Sequence, residues 1–106
     1  MNINDKIYVA GHNGLVGSAL VRLLQKNGYK NIITIDSANL DLRDQLAVRK
    51  FFQEKNPQYV FLAAAKVGGI MANKMFGAEF IYDNLTVQNN VIHEAYRSKV
   101  EAITTE

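Results

Sequence analysis

The stretch Ile7-Tyr8-Val9-Ala10-Gly11-His12-Asn13-Gly14-Leu15-Val16-Gly17 decides the architecture. Its first four residues are a short apolar run, the pattern of a strand buried on both faces. Three glycines then recur at intervals of three. Beyond them apolar residues fall at Leu15, Val16, Ala19, Leu20, Leu23 and Leu24, the spacing of one helix face, up to Asn27-Gly28, where glycine accepts the left-handed conformation that ends a helix. Strand, glycine turn and helix in this order place free N–H groups and the positive end of a helix dipole beside a loop without side chains, which suits a pyrophosphate. Each glycine has its own task. Gly11 turns the chain sharply off the strand, Gly14 lets a phosphate approach the helix, and Gly17 lets the helix pack closely on the sheet. The alternative is a tight turn that merely uses glycine.

Working outward, the elements keep alternating. Asn31–Asp36 reads as a second buried strand and Asn39–Leu42 as a short third one. Asp44 is a good N-cap for a helix burying Ala47, Val48, Phe51 and Phe52, and Asn56-Pro57 stops that helix. Tyr59–Ala63 is the next buried strand. Residues 66–73 read as a loop and residues 77–98 as a long helix with apolar positions at Phe80, Ile81, Val87, Val91, Ile92 and Ala95. Alternation of this kind implies parallel pairing through right-handed crossovers. The expected fold is α/β, a Rossmann-type doubly wound parallel sheet with about four strands in the order third, second, first, fourth, and a ligand at the switch point between the first and fourth.

Composition narrows the functions. The chain has 106 residues, room for one domain. Its net charge of +2, from 12 Lys and Arg against 10 Asp and Glu, argues against nucleic acid. No apolar run approaches the roughly 18 residues of a membrane span. The sequence has no cysteine, hence no disulfide and no thiolate metal site, and no His/Asp/Glu cluster has metal-ligand spacing. A cytoplasmic location is expected. Asp36 lies 19 residues after Gly17, where an acid hydrogen-bonds an adenosine ribose and repels the 2′-phosphate of NADP; this local charge favours NAD. Asp36 can equally be a turn-capping residue. His12 reads as a loop side chain near the cofactor rather than a catalytic group.

Three stretches resemble the GDP-L-fucose synthases of the extended short-chain dehydrogenase/reductase superfamily: Ala10-Gly-His-Asn-Gly-Leu-Val-Gly-Ser-Ala19, Phe61-Leu-Ala-Ala-Ala-Lys-Val-Gly-Gly-Ile70 and Phe80-Ile-Tyr-Asp-Asn-Leu85. The second is far more specific than the glycine loop. The resemblance implies an NADP-dependent enzyme that epimerises C3 and C5 of GDP-4-keto-6-deoxy-mannose and reduces C4. It implies cofactor contacts at Gly11, Gly14 and Gly17, at Asp41 and Leu42 beside adenine, and at Leu62, Ala63, Ala64 and Lys66 on the nicotinamide side; His12, Asn13, Leu15 and Val16 within the loop and Asp36 after the second strand are counted with them from their positions. Val67, Gly68, Gly69 and Asn84 would lie near the sugar. Lys66 has the alternative of a solvated loop lysine.

The chain departs from the family in two respects. Relatives using NADPH often carry arginines where this sequence has Asn13 and Ser37, although Arg43 can reach a phosphate; NAD is therefore not excluded. The family's catalytic Tyr-x-x-x-Lys does not occur, and Tyr96-x-x-Lys99 has the wrong spacing. The likeness is read as fading after Val100, so residues 1–106 are expected to be a cofactor-binding domain that stops before the catalytic Ser, Tyr and Lys and before the substrate domain, with no catalytic residue of its own. The edge of Val60–Leu62 should then be unpaired, and Phe80, Ile81, Val87 and Val91 partly exposed. GDP-sugar would bind only in a complete enzyme, and a homodimer would form through the 77–98 helix. The competing readings are a stand-alone dinucleotide-binding module and a remnant without function.

Overall fold

The computed structural model describes residues 1–63 and 70–105. Four strands, β1 (Lys6–Ala10), β2 (Asn31–Ile33), β3 (Tyr59–Leu62) and β4 (Ala102–Thr105), form one parallel sheet in the order β2-β1-β3-β4. Three helices connect them: α1 (Leu15–Lys26), α2 (Gln45–Lys55) and α3 (Ile70–Arg97). Side chains alternate across the central strands, as the pleat requires. Ile7 and Val9 pack with Leu24 of α1 on one face, while Tyr8, Ala10, Val60 and Leu62 pack with Val48, Phe51, Phe52, Val91 and Ala95 of α2 and α3 on the other. The doubly wound α/β architecture is the expected one. Two crossovers leave β1 and β3 on opposite faces, which opens the switch point at the strands' carboxyl ends.

The local signals that held are physical. Asp44 caps α2 by accepting a bond from the Ala47 N–H at 3.2 Å. Asn56 ends it in the left-handed conformation at φ 48° before Pro57, and Gly28 does the same after α1 at φ 88°. Phe51 and Phe52 close around the Tyr8 ring, with centroids 4.6 and 5.9 Å away. Burial holds the Tyr8 phenol well above its ordinary pKa.

Five expectations are corrected. First, Asn39–Leu42 is not a strand, and the second strand stops at Ile33. The Asp36 carboxylate accepts bonds from the backbone N–H and side-chain amide of Asn39, and the Asp36 carbonyl accepts from Asn39 and Leu40. Local capture by short polar side chains competes with a ladder and wins here. Second, β3 is not an edge. Ala102–Thr105 pairs with it in register from Tyr59↔Ala102 to Leu62↔Thr105. The β-branched run Ile103-Thr104-Thr105 favours extended backbone despite its polar look.

Third, Val91 is completely buried rather than partly exposed; Val87 is partly buried against the same core, and the side chains of Phe80 and Ile81 lie outside the described residues. Fourth, α3 begins at Ile70, so residues 70–73 are helical rather than loop. Met71 and Ala72 in that first stretch are good helix formers. Fifth, α1 buries much less than its spacing implies. Gly17 and Leu24 are buried, whereas Leu15 is 86%, Leu23 56% and Val16 41% exposed. One helix on this face, lying over β1 and β2, covers only the side chains aimed straight at the sheet.

Candidate cofactor site

The loop after β1 is shaped by its glycines. Gly11 has φ 85°, a conformation costly to any residue with a Cβ. Its carbonyl accepts the Gly14 N–H at 3.1 Å, closing the turn. Gly14 is the N-cap of α1 and offers no side-chain cap, so the first N–H groups of the helix face outward without a protein oxygen from the cap. Gly17 sits directly behind the turn. A Cβ there would lie 1.9 Å from the Gly11 oxygen. The third glycine, expected to let the helix pack closely on the sheet, lets it pack closely on the turn that leaves the sheet.

A cleft of about 400 Å³ opens at the carboxyl ends of the strands. The glycine loop, from Gly11 through His12 and Asn13 to Gly14, forms one wall. Ile35, Asp36 and Ser37 beyond β2 form another, the segment Leu40–Arg43 a third, and Ala63 after β3 with Val87 of α3 closes the remaining side. Of the residues read from the sequence, the cleft gathers Gly11, His12, Asn13, Gly14, Asp36, Asp41, Leu42 and Ala63. Leu15 and Val16 stand at the first turn of α1 with exposed side chains, and Gly17 lies beneath. Leu62 is buried in the core and its side chain does not line the cleft; its backbone is at the strand end. Asn84 is half-buried on α3 and is not among the lining residues. Ala64, Lys66, Val67, Gly68 and Gly69 lie outside the described residues.

Asp36 caps a turn and borders the cleft at once. Both Asn39 bonds, at 3.1 and 2.7 Å, fall on its Oδ1, while the residue itself lines the cleft. Arg43 is the one Lys or Arg among the described lining residues, and it is already engaged. Its Nε and Nη2 donate to the Asp41 carboxylate at 3.1 and 3.0 Å, and Nη1 reaches Asp83 of α3 at 3.5 Å. Hydrogen bonding to Arg43 holds the Asp41 carboxyl below its ordinary range, and Asp41 in turn raises the guanidinium.

Sequence reasoning missed the contacts made by one face of α3. Asp83, Val87, Asn90 and Glu94, spaced four, three and four, face the 41–49 segment: Asp83 meets Arg43, Val87 lines the cleft, Asn90 donates to the Leu42 carbonyl, and Glu94 takes Arg49 at 3.3 Å. The helical spacing was visible, but nothing local told which partners those side chains would find. Among the described residues no three His, Cys, Asp or Glu side chains gather as metal ligands, and no helix is long and apolar enough to cross a membrane.

A model of the NAD dependent epimerase/dehydratase family matches residues 7–105. The chain belongs to that family. The match runs through β4, so the likeness does not fade at Val100. GDP-L-fucose synthase 1 of Arabidopsis thaliana is 54% identical over 98 residues, covering 92% of this chain and 30% of that protein. GDP-L-fucose synthase of Escherichia coli K12 is 41% identical over 99 residues, covering 93% and 31%. Among solved structures, a GDP-mannoheptose C4 reductase from Campylobacter jejuni with NADP bound is 48% identical, with TM-score 0.91 over 99% of this chain and 33% of that one. The chain thus spans about 30% of the length of the curated relatives it matches. The resemblance to GDP-L-fucose synthases seen in the sequence holds in these alignments.

Proposed function

We propose that this family member is the cofactor-binding part of an NADP-dependent nucleotide-sugar epimerase/reductase that makes GDP-L-fucose from GDP-4-keto-6-deoxy-mannose in the cytoplasm. The observation that carries the reading is the cleft itself. A side-chain-free loop on a helix N-terminus, an acid after β2 and the Asp41-Leu42 wall converge at the switch point, in the arrangement that binds a dinucleotide. Its chemistry fits a dinucleotide: N–H groups for the pyrophosphate, Asp36 beside the adenosine ribose, and Leu40, Leu42 and Val87 for the adenine; the preference for NADP over NAD is supported by the NADP-bound relative and not by Asp36. NADPH, when bound, supplies the hydride, and the chain's own residues hold and orient it. Gly11–Gly17, Asp36, Asp41, Leu42 and Ala63 are assigned to this task, joined by Leu62, Ala64 and Lys66, with Val67, Gly68, Gly69 and Asn84 on the sugar side.

The whole domain, residues 1–106, binds cofactor and is inactive alone, because no Tyr-x-x-x-Lys pair occurs in it. GDP-sugar is a partner of the complete enzyme. Self-association through α3 is the further partner reading. It is supported by an exposed stripe at Tyr82, Leu85, Ile92 and Tyr96, a different face of the 77–98 helix from the one first expected. Calorimetric titration with NADPH and NADH tests the main reading. Saturable heat with NADPH, tighter than with NADH, is the expected result. Absence of heat with both, from folded protein, overturns it. Equal affinity for both, with no sugar turnover on adding the rest of a relative's chain, favours the stand-alone dinucleotide module. Sedimentation at increasing concentration checks the dimer.

A further inference from the structure

Asn90 and Glu94 are the buried polar side chains among the described residues, at 9% and 1% exposure. A buried amide must find a partner, or its desolvation goes uncompensated. Glu94 has Arg49. Asn90 spends its Nδ2 donor on a main-chain oxygen 48 residues away, the Leu42 carbonyl, at 2.9 Å. That carbonyl belongs to the cleft wall, whereas the Asn90 side chain is not among the residues lining the cleft.

Leu40, buried in the core, and Leu42, packed against it, hold the wall by their side chains, while its main chain is held by hydrogen bonds. Residues 36–44 join no strand, so no ladder fixes them. The Asp36 turn holds one end and the Asp44 cap the other. Between them, Arg43 bonds back to Asp41 within the segment, and α3 supplies two ties from positions seven apart on one face. The Arg43–Asp83 contact is long, at 3.5 Å, and both side chains are well exposed, so solvent weakens it. The Asn90 bond is short and sheltered.

We infer that Asn90 is a positioning residue for the adenosine end of the cleft. It fixes where Leu42 and its neighbour Asp41 stand, and so sets affinity for the adenosine moiety without touching it. This rests on the dinucleotide reading of the cleft proposed above.

The test uses the full 106-residue chain and Asn90→Leu, which keeps the branched shape of the side chain and removes the donor. Binding of 2′,5′-ADP and of inorganic pyrophosphate is measured well below the melting temperature, with folding checked by circular dichroism. The expected result is a loss of about tenfold in 2′,5′-ADP affinity, with pyrophosphate binding at the glycine loop unchanged. A folded variant that binds 2′,5′-ADP as the parent does overturns the inference and leaves the dinucleotide reading standing. A parent chain that binds neither ligand overturns both. If Asn90→Leu does not fold, the parent decides: the Asn90 side-chain amide resonances move during a 2′,5′-ADP titration if the bond couples to the occupied wall, and stationary resonances overturn the inference.

Discussion

Replacing Gly17 by alanine puts one methyl group where the backbone of the glycine turn already is. The new Cβ would stand 1.9 Å from the Gly11 oxygen, 2.6 Å from its carbonyl carbon and 3.0 Å from the His12 Cα. Ordinary contact begins near 3.4 Å, so the turn or the helix must move by about 1.5 Å. No flexible side chain can yield instead, because every atom met is backbone. Overpacking a well-packed site costs about 1–3 kcal/mol and occasionally more, and a backbone clash belongs at the upper end, about 3 kcal/mol. A domain of this size is stable by about 5–15 kcal/mol and loses about 4–8 °C of melting temperature per kcal/mol. The expected fall is therefore about 12–24 °C.

Binding should fail with stability, since the displaced Gly11 oxygen is the acceptor that closes the turn onto the Gly14 N–H. Gly28→Ala is the matched control. Its Cβ meets nothing within 4 Å, but φ is +88°, so it should cost about 1–2 kcal/mol of backbone strain and leave ligand affinity alone. Thermal melts followed by circular dichroism, with 2′,5′-ADP titrations on both variants, read the two effects separately. A Gly17→Ala chain that melts within about 2 °C of the parent and binds normally would refute the reasoning, as would a Gly28→Ala chain that loses binding equally.

Asp44→Ala removes the α2 cap and should cost about 1 kcal/mol, read in a denaturant midpoint with unchanged slope. Arg49→Met leaves the Glu94 carboxylate buried without its cation. It should cost about 3 kcal/mol, and Glu94→Gln in the same background should recover part of that loss. Tyr59 donates to the Glu101 carboxylate at 2.6 Å, and this bond pushes the phenol from 10.0 up to about 12. Because the folded value is raised, the stabilisation is fully present below pH 10 and is lost as pH climbs through 12. Tyr59→Phe should lessen the fall of melting temperature with pH over that window. Asp41 is lowered instead, so its contribution is present above its ordinary value of 3.8 and disappears as pH falls through the folded value. Asp41→Asn should remove that acid-side loss.

Legibility followed the range of the deciding interaction. The Gly11–Gly17 loop, the Asp44 cap and the Asn56-Pro57 stop are governed by one or two residues and their immediate neighbours, and each was readable. The cleft's membership was readable to the extent that its parts follow strands at fixed offsets: Gly11–Gly14 after β1, Asp36 after β2, Ala63 after β3. Asn39–Leu42 misled because apolar alternation suggested a strand, while the Asp36 and Asp41 carboxylates captured nearby N–H groups first. Ala102–Thr105 misled the other way. Its threonines look like surface coil, yet pairing to β3 supplies the backbone partners that a polar edge strand needs.

The sequence by itself determined the alternation of strand and helix, the parallel sheet and the anion-suited turn, because glycine conformation, capping and hydrophobic period act within a few residues. Only the tertiary structure decided that Asp36 caps a turn and lines the cleft at once, that Arg43 is held by two carboxylates, and that Asn90 reaches Leu42 across 48 residues. Those pairings depend on how α3 lies against the segment before α2. That placement is set by burial of Val91 and Ala95 against the sheet, a packing outcome that no short stretch of sequence contains.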